Sequence, residues 1–200
     1  MTTTVMHDQS ARDYHAMPGA SASRLKQLKR SAAHMRYAMD NPQEPTPAMI
    51  IGSATHSAIL EPDLFVKEWG RLPEGDGRST AVKDAKAELI SEFGSHHILK
   101  PDAYDNILAM RDSVFGNALA LDLLDGADTE VSHYWTENGV ACKARIDALP
   151  GASQWSDCIV DIKTTANAHP DEFRRSVFNF SYHIQAQHYM TAAERDRFIF

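Results

Sequence analysis

Apolar positions change their period about two-thirds of the way along the chain. As far as residue 124 they recur every three or four positions, as on a helix, and from 130 they alternate, as on a strand. In SASRLKQLKRSAAHMRYAMD, residues 21–40, Leu25, Leu28, Ala32, Met35 and Met39 keep helical spacing behind Ser21 or Ser23 as N-cap, which predicts one helix. The proline-rich NPQEPTP, 41–47, ends in a second start signal, Thr46 as cap and Pro47 at the first helical position. A helix over about 47–60 follows and stops before Pro62. VKEWGRLPEGDGRST, 66–80, is rich in glycine and charge and reads as a mobile loop. Two more helices are predicted, Thr80 to Phe93 with Gly94 as C-terminal cap, and Pro101 to about Leu124 before Gly126.

The alternating part begins with EVSHYWT and VACKARIDAL around Asn138-Gly139, a strong hairpin signal over 130–149. A third strand is predicted from Cys158 to about Thr164, then a helical region from Pro170 to near Ala193. RFIF then reads as a strand that is either very short or the start of one in a longer protein. The order is helices, then β-β-β-α-β. A length of 200 residues suits one domain, 1–126 mainly helical and 127–200 the β-rich core.

Composition changes this picture little. With 43% apolar and 24% charged residues the chain is an ordinary globular one. No window approaches 18 uninterrupted apolar residues, and MTTTVMHDQS lacks both the basic and the apolar region of a secretory leader. We therefore expect a cytoplasmic protein with no membrane contact. Cys142 and Cys158 lie in strand-like runs and suit reduced core thiols better than a disulfide or zinc framework. The formal charge of −7 argues mildly against a protein that coats a polyanion, yet a site that holds metal ions itself gathers carboxylates, and whole-chain charge says nothing of its distribution.

Candidate chemistry centres on IVDIKTTAN, 159–167, where Asp161 and Lys163 interrupt an apolar run. Alternation puts Asp161 and Lys163 on one face of their strand, and Lys143, Arg145 and Asp147 on one face of the strand before it. Pairing of these strands brings Asp147 and Asp161 close enough to share a divalent ion. A hard cation such as Mg²⁺ takes oxygen ligands, usually one or two carboxylates plus substrate phosphate. An ammonium two residues from a ligand carboxylate can orient water or offset phosphate charge. For a bare D-x-K tripeptide, a cross-strand ion pair is the commoner explanation. Gly52 and His56 share a helical face, as do Gln185 and Tyr189. Alone, a histidine such as His56 on a mostly apolar helix is more often a core residue than a ligand, and a core role is the plainer reading of Tyr189. Lys26, Lys29, Arg30 and Arg36 can meet phosphates, though a solvated helix face is the commoner reading. His96 and His97 form a weak metal signal, with no Cys or carboxylate at ligand spacing.

Taken together, YHAMPGASASRLKQL, GSATH, EVSHYWT, RIDALP, IVDIKTT and YHIQAQHYM, in this order and spacing, resemble the PD-(D/E)XK nucleases. Within them the chain looks most like the RecE-like (exonuclease VIII) group, close to the RecB-type nuclease domains. The resemblance implies an α/β restriction-endonuclease-like core, a central mixed β-sheet flanked by helices, with a helical N-terminal region. It makes Asp147 the first acid of the motif, with Ile146 in place of the usual proline, and Asp161 and Lys163 the D/E-x-K half. By the same likeness His56 is a further metal ligand, and Gln185 and Tyr189 form the Q-x-x-x-Y helix that steadies DNA. Glu130 is either an accessory acid or a strand-edge charge. The implied activity is Mg²⁺-dependent digestion of linear double-stranded DNA from the 5′ end, with Mn²⁺ as a substitute. It is implied to act as a ring-shaped tetramer beside a RecT-like single-strand annealing protein, often of prophage origin, in recombination. Two other readings stand beside it: an inactive scaffold that binds DNA ends or the annealing partner, and an endonuclease of the same superfamily.

Overall fold

A strand that the sequence pattern does not announce begins the structure, a computed structural model that describes residues 2–200. This strand, β1 (Thr3–Met6), is followed by three short helices, α1 (Ala11–Ala16), α2 (Ala22–Gln27) and α3 (Ala32–Asp40). Next come α4 (Pro47–Leu60), α5 (Pro62–Glu68), β2 (Gly70–Arg71), α6 (Thr80–Phe93), a 3₁₀ turn at Ser95–His97, β3 (Ile98–Leu99), α7 (Pro101–Phe115) and α8 (Ala118–Leu124). The C-terminal part holds β4 (Asp128–Glu137), β5 (Val140–Leu149), β6 (Cys158–Val160), α9 (Pro170–Asn179), α10 (Tyr182–Ala193) and β7 (Arg197–Ile199).

Two predicted caps form as expected, whereas Ser21 precedes α2 without a side-chain bond to its backbone. Thr46 Oγ1 accepts from the Met49 N–H, and Gly94 closes α6 at a φ of 81°. Four expected elements are shorter than their periodicity suggests, each for a local reason. The helix expected over 21–40 breaks because Ser31, in extended conformation, caps a new helix through the His34 N–H. The helix from Pro101 breaks at Gly116, where Asn117 Oδ1 accepts from Leu119 and Ala120. The loop expected from 66 begins later, since Pro62 starts α5 and Gly70–Arg71 pair in parallel with Ile98–Leu99. The helical region from Pro170 is cut at Ser181, which sits at φ 54°.

The chain forms two compact units, one made of the segment through Glu44 together with Leu123–Phe200, the other of Pro45–Asp122. In the second, Ala54, Ala58, Phe65, Trp69, Leu99 and Ile107 make an apolar core. His97 stacks on Trp69 at 4.6 Å and its Nδ1 lies 3.1 Å from the Glu68 carbonyl oxygen, a packing role that accounts for one member of the His96–His97 pair.

The first unit is built on a five-stranded mixed sheet in the order β1-β4-β5-β6-β7, with β6 and β7 parallel and the other pairs antiparallel. Asn138 and Gly139, both at positive φ, make the tight turn between β4 and β5. Val131, Trp135, Ala144 and Ile146 form the apolar face, on which Ala192, Tyr189, Met190 and Ala193 of α10 pack. Cys142 and Cys158 are free and buried, as their strand positions predict.

Where β6 is too short to cover the first half of β5, the N-terminal segment takes its place. Ala20 accepts from the Lys143 N–H and donates to the Ala141 carbonyl. Gly19 permits this approach: at φ 138° it holds a conformation that L side chains rarely adopt, and a Cβ there would meet the Cys142 backbone at 3.3 Å. Lys143 fastens the same segment. Its buried ammonium donates to the carbonyls of Tyr14 at 2.7 Å, His15 at 3.3 Å and Met17 at 2.6 Å, at the C-terminal end of α1. Replacing Lys143 with methionine keeps the stem but strips three carbonyls of their donor. Lys143→Met is expected to lower stability by about 2–4 kcal/mol in urea unfolding.

Candidate metal centre

The strand register lines up three acids. Val131 pairs with Ile146 and Thr129 with Ala148, so Glu130 of β4 stands opposite Asp147 of β5. Ala148 pairs with Val160, and extending that register by one residue sets Asp161 opposite Asp147 on its other side. Directly opposed residues share a face, with Cβ atoms about 4.5–5.5 Å apart. The result is a row of carboxylates running across three adjacent segments. Oxygens of Glu130 and Asp147 lie within 4.8 Å of each other, within reach of one cation.

Backbone distortion helps to form this row. Glu130 sits at φ 53° in the middle of a strand, a conformation that costs a non-glycine residue about 1–2 kcal/mol. Such strain persists where the surrounding structure enforces it, and it occurs most often at functional sites. Asp147 imposes a second distortion by accepting the Ile162 N–H at 2.8 Å on its Oδ2. That donor is thereby diverted from a β-ladder. The strand expected to run to Thr164 ends at Val160, although Asp161 N–H still reaches the Ile199 carbonyl at 2.9 Å.

Each acid has a defined neighbour. Arg145 Nε donates to Glu130 Oε2 at 2.5 Å while its Nη1 donates to the Gln9 carbonyl at 2.5 Å. Asp161, 1% exposed, accepts from Gln185 Nε2 at 2.6 Å on Oδ1 and forms an ion pair with Lys163 through Oδ2. Burial pushes the Asp147 carboxyl up to about 6, against the opposing pull of Lys163, the Ile162 N–H and Arg145. Three carboxylates thus gather in a largely desolvated place. A hard divalent ion suits their oxygen atoms.

The structure distributes the other predicted residues as follows. Gln185 and Tyr189 lie on α10; the Gln185 amide is bonded to Asp161, and Tyr189 is half-buried against the apolar core. Burial, followed by the charges of Asp147, Tyr14, Asp161 and Glu130, holds the Tyr189 phenol well above its ordinary pKa. His56 lies half-buried on α4 in the second unit.

At this centre the sequence does not single out Tyr182, and it leaves Lys26 in a basic run read more readily as a solvated face. Lys26, expected on a solvated face, places Nζ 3.5 Å from Gln185 Oε1 and 5.2 Å from the centroid of the Tyr182 ring. Burial and then the neighbouring Lys163 lower its pKa, while Asp161 opposes that shift. Lys163 Nζ lies at the same 5.2 Å from the Tyr182 ring, so both ammonium groups meet one aromatic side chain. The sequence signal was the basic run itself, which carries no information about which helix it will face.

A carboxyl whose pKa is higher folded than unfolded costs the native state stability above that pKa. For Asp147 this penalty is complete above about pH 6 and fades as pH falls towards its ordinary value near 4. Asp147→Asn is therefore expected to raise the metal-free melting stability at pH 7.5 by about 1–3 kcal/mol and to leave it unchanged or lower at pH 4.5. The same variant should lose most of the stabilisation that Mg²⁺ or Mn²⁺ confers on the wild type, read by thermal melting with and without the ion.

No curated protein and no solved structure matches the chain. A family model described as a PDDEXK-like domain of unknown function (DUF3799) matches residues 21–197, a span that holds Asp147, Asp161, Lys163, Gln185 and Tyr189. The mixed sheet flanked by helices agrees with that fold, and the chain belongs to this PDDEXK-like family.

Proposed function

We propose that this protein is a divalent-metal-dependent deoxyribonuclease that digests linear double-stranded DNA from the 5′ end, leaving 3′ single-stranded tails for strand annealing. The row of Glu130, Asp147 and Asp161 with Lys163 beside it is the observation that carries the hydrolytic reading. Membership of a nuclease-type superfamily supports it. Polarity, the ring-shaped tetramer and the RecT-like partner rest on the sequence resemblance to RecE-like enzymes.

Asp147, Asp161 and Glu130 are the residues that would hold Mg²⁺, with His56 as a further ligand on sequence grounds alone. A bound Mg²⁺ supplies a Lewis acid and an acidified water to phosphodiester cleavage. The chain's own residues do the rest. Gln185 fixes the rotamer of Asp161 by holding Oδ1, leaving Oδ2 to Lys163. Lys163, on an ion pair only 16% exposed at its own side chain, presents a fixed positive charge where an attacking water or a developing phosphorane charge would lie. Arg145 holds Glu130 towards Asp147 and offsets part of the repulsion between them. Lys26 adds a second cation on the Gln185 side, suited to a neighbouring phosphate.

The test is digestion of linear duplex labelled at the 5′ or the 3′ end, with and without Mg²⁺, beside a covalently closed circle. The expected result is Mg²⁺-dependent release of the 5′ label with the circle intact. Asp161→Ala and Lys163→Ala should each reduce the rate by ~10³-fold or more, an effect the size of losing a principal electrostatic stabiliser. His56→Ala is expected to raise the Mg²⁺ concentration needed for half-maximal rate. Full activity of either the Asp161 or the Lys163 variant would refute the assignment, and nicking of the circle would replace the exonuclease with an endonuclease.

A further inference from the structure

The turn between α9 and α10 displays large apolar rings beside a charged centre. Phe178 and Phe180 are 66% and 59% exposed, more than packing alone would leave on two neighbouring phenylalanines. Phe180 is stacked with Tyr182, ring centroids 5.7 Å apart and planes 29° from parallel, and Tyr182 in turn meets Phe200 at 5.6 Å. The inner end of this series is the Tyr182 ring that Lys26 and Lys163 both approach. Aromatic surface and the two ammonium groups are therefore continuous, from Asp161 and Gln185 out to solvent.

The turn is also held in place. Ser181 adopts φ 54°, a left-handed conformation unfavourable for a residue with a Cβ, and it is only 3% exposed. Lys29 Nζ donates to Ser181 Oγ at 2.8 Å, tying the turn to the segment that follows α2. This bend ends α9 and sets Phe180 outward while Tyr182 begins α10 inward. A flexible connector would have needed neither the strain nor the tie.

We propose that Phe180, with Phe178 beside it, is a stacking platform for an unpaired nucleobase of the DNA strand whose phosphates lie along Lys26 and Lys163; this rests on the nuclease reading above. Charge complementarity selects that occupant. A purely apolar partner would have to desolvate Lys26 and Lys163, whereas a single strand presents a π-face to the rings and an anion to the ammonium groups. The platform gives the site a reason to act on frayed or resected ends, where a base is free to leave the duplex stack.

The experiment uses the full chain in Ca²⁺, with a short single-stranded oligonucleotide carrying 2-aminopurine near its 5′ end. Wild type is expected to quench the fluorophore. Phe178→Leu/Phe180→Leu should weaken binding ~10-fold, about the effect of one lost base–aromatic contact, and abolish most of the quench. Phe180→Trp should retain both, and thermal melting should show all variants folded. Equal quench and affinity in the Leu double variant would overturn the platform. So would a concentration-dependent dimer of the wild type that the double variant loses, which would make the rings a contact between copies. Cleavage of duplex by wild type without Phe180-dependent quench removes this inference and keeps the nuclease; quench without any metal-dependent cleavage removes the nuclease and keeps a DNA-binding surface.

Discussion

Burial of the Asp147 and Asp161 carboxyl groups beside Glu130 is the constraint around which the C-terminal half of the structure is organised. Carboxylates on adjacent strands and largely out of water are costly, and the Asp147 carboxyl, raised towards neutrality by its burial, records that cost. Each neighbour can be understood as a partial remedy. Arg145 takes Glu130, Lys163 takes Asp161 Oδ2, the Ile162 N–H bonds Asp147 Oδ2 and the Gln185 amide bonds Asp161 Oδ1. Oxygens of Glu130 and Asp147 stay close enough together for one cation to reach both.

The same constraint explains features that look like defects in an ordinary sheet. Glu130 is left-handed inside β4, and β6 stops after three residues because Asp147 takes a backbone donor that would otherwise join a ladder. The shortness of β6 leaves the beginning of β5 without a strand on the side away from β4, and Gly19 and Ala20 fill that gap. Lys143 then satisfies the carbonyls at the end of α1. An N-terminal segment far away in sequence is in this way drawn to the sheet that carries the acids. It brings Lys26 to Gln185 and Lys29 to Ser181 along with it.

Much of this could be read before any coordinates. The hairpin followed from Asn138-Gly139 flanked by alternation, α4 from Thr46 and Pro47, and α6 from its cap at Gly94. Parity put Lys143, Arg145 and Asp147 on one face, and the register keeps them together. The illegible parts have specific causes. Ser31 and Asn117 are weak caps inside otherwise continuous helical periodicity, and propensity alone does not say that they will win. β1 was missed because TTVM is too short to establish a period, and its stability comes from pairing with β4.

What the sequence determined by itself is the set of chemical groups and their local spacing. An acid on β5, an acid and a lysine two residues apart just after β6, and Gln185 and Tyr189 one helical turn apart are matters of local spacing, which need no tertiary information. Which groups meet was decided by the tertiary structure. Lys26 is 159 positions from Gln185 and Lys29 is 152 from Ser181, and no local rule connects them. Those meetings exist because a short β6 opened a place in the sheet and the N-terminal segment, with its glycine and its buried lysine contact, was the part of the chain able to close it.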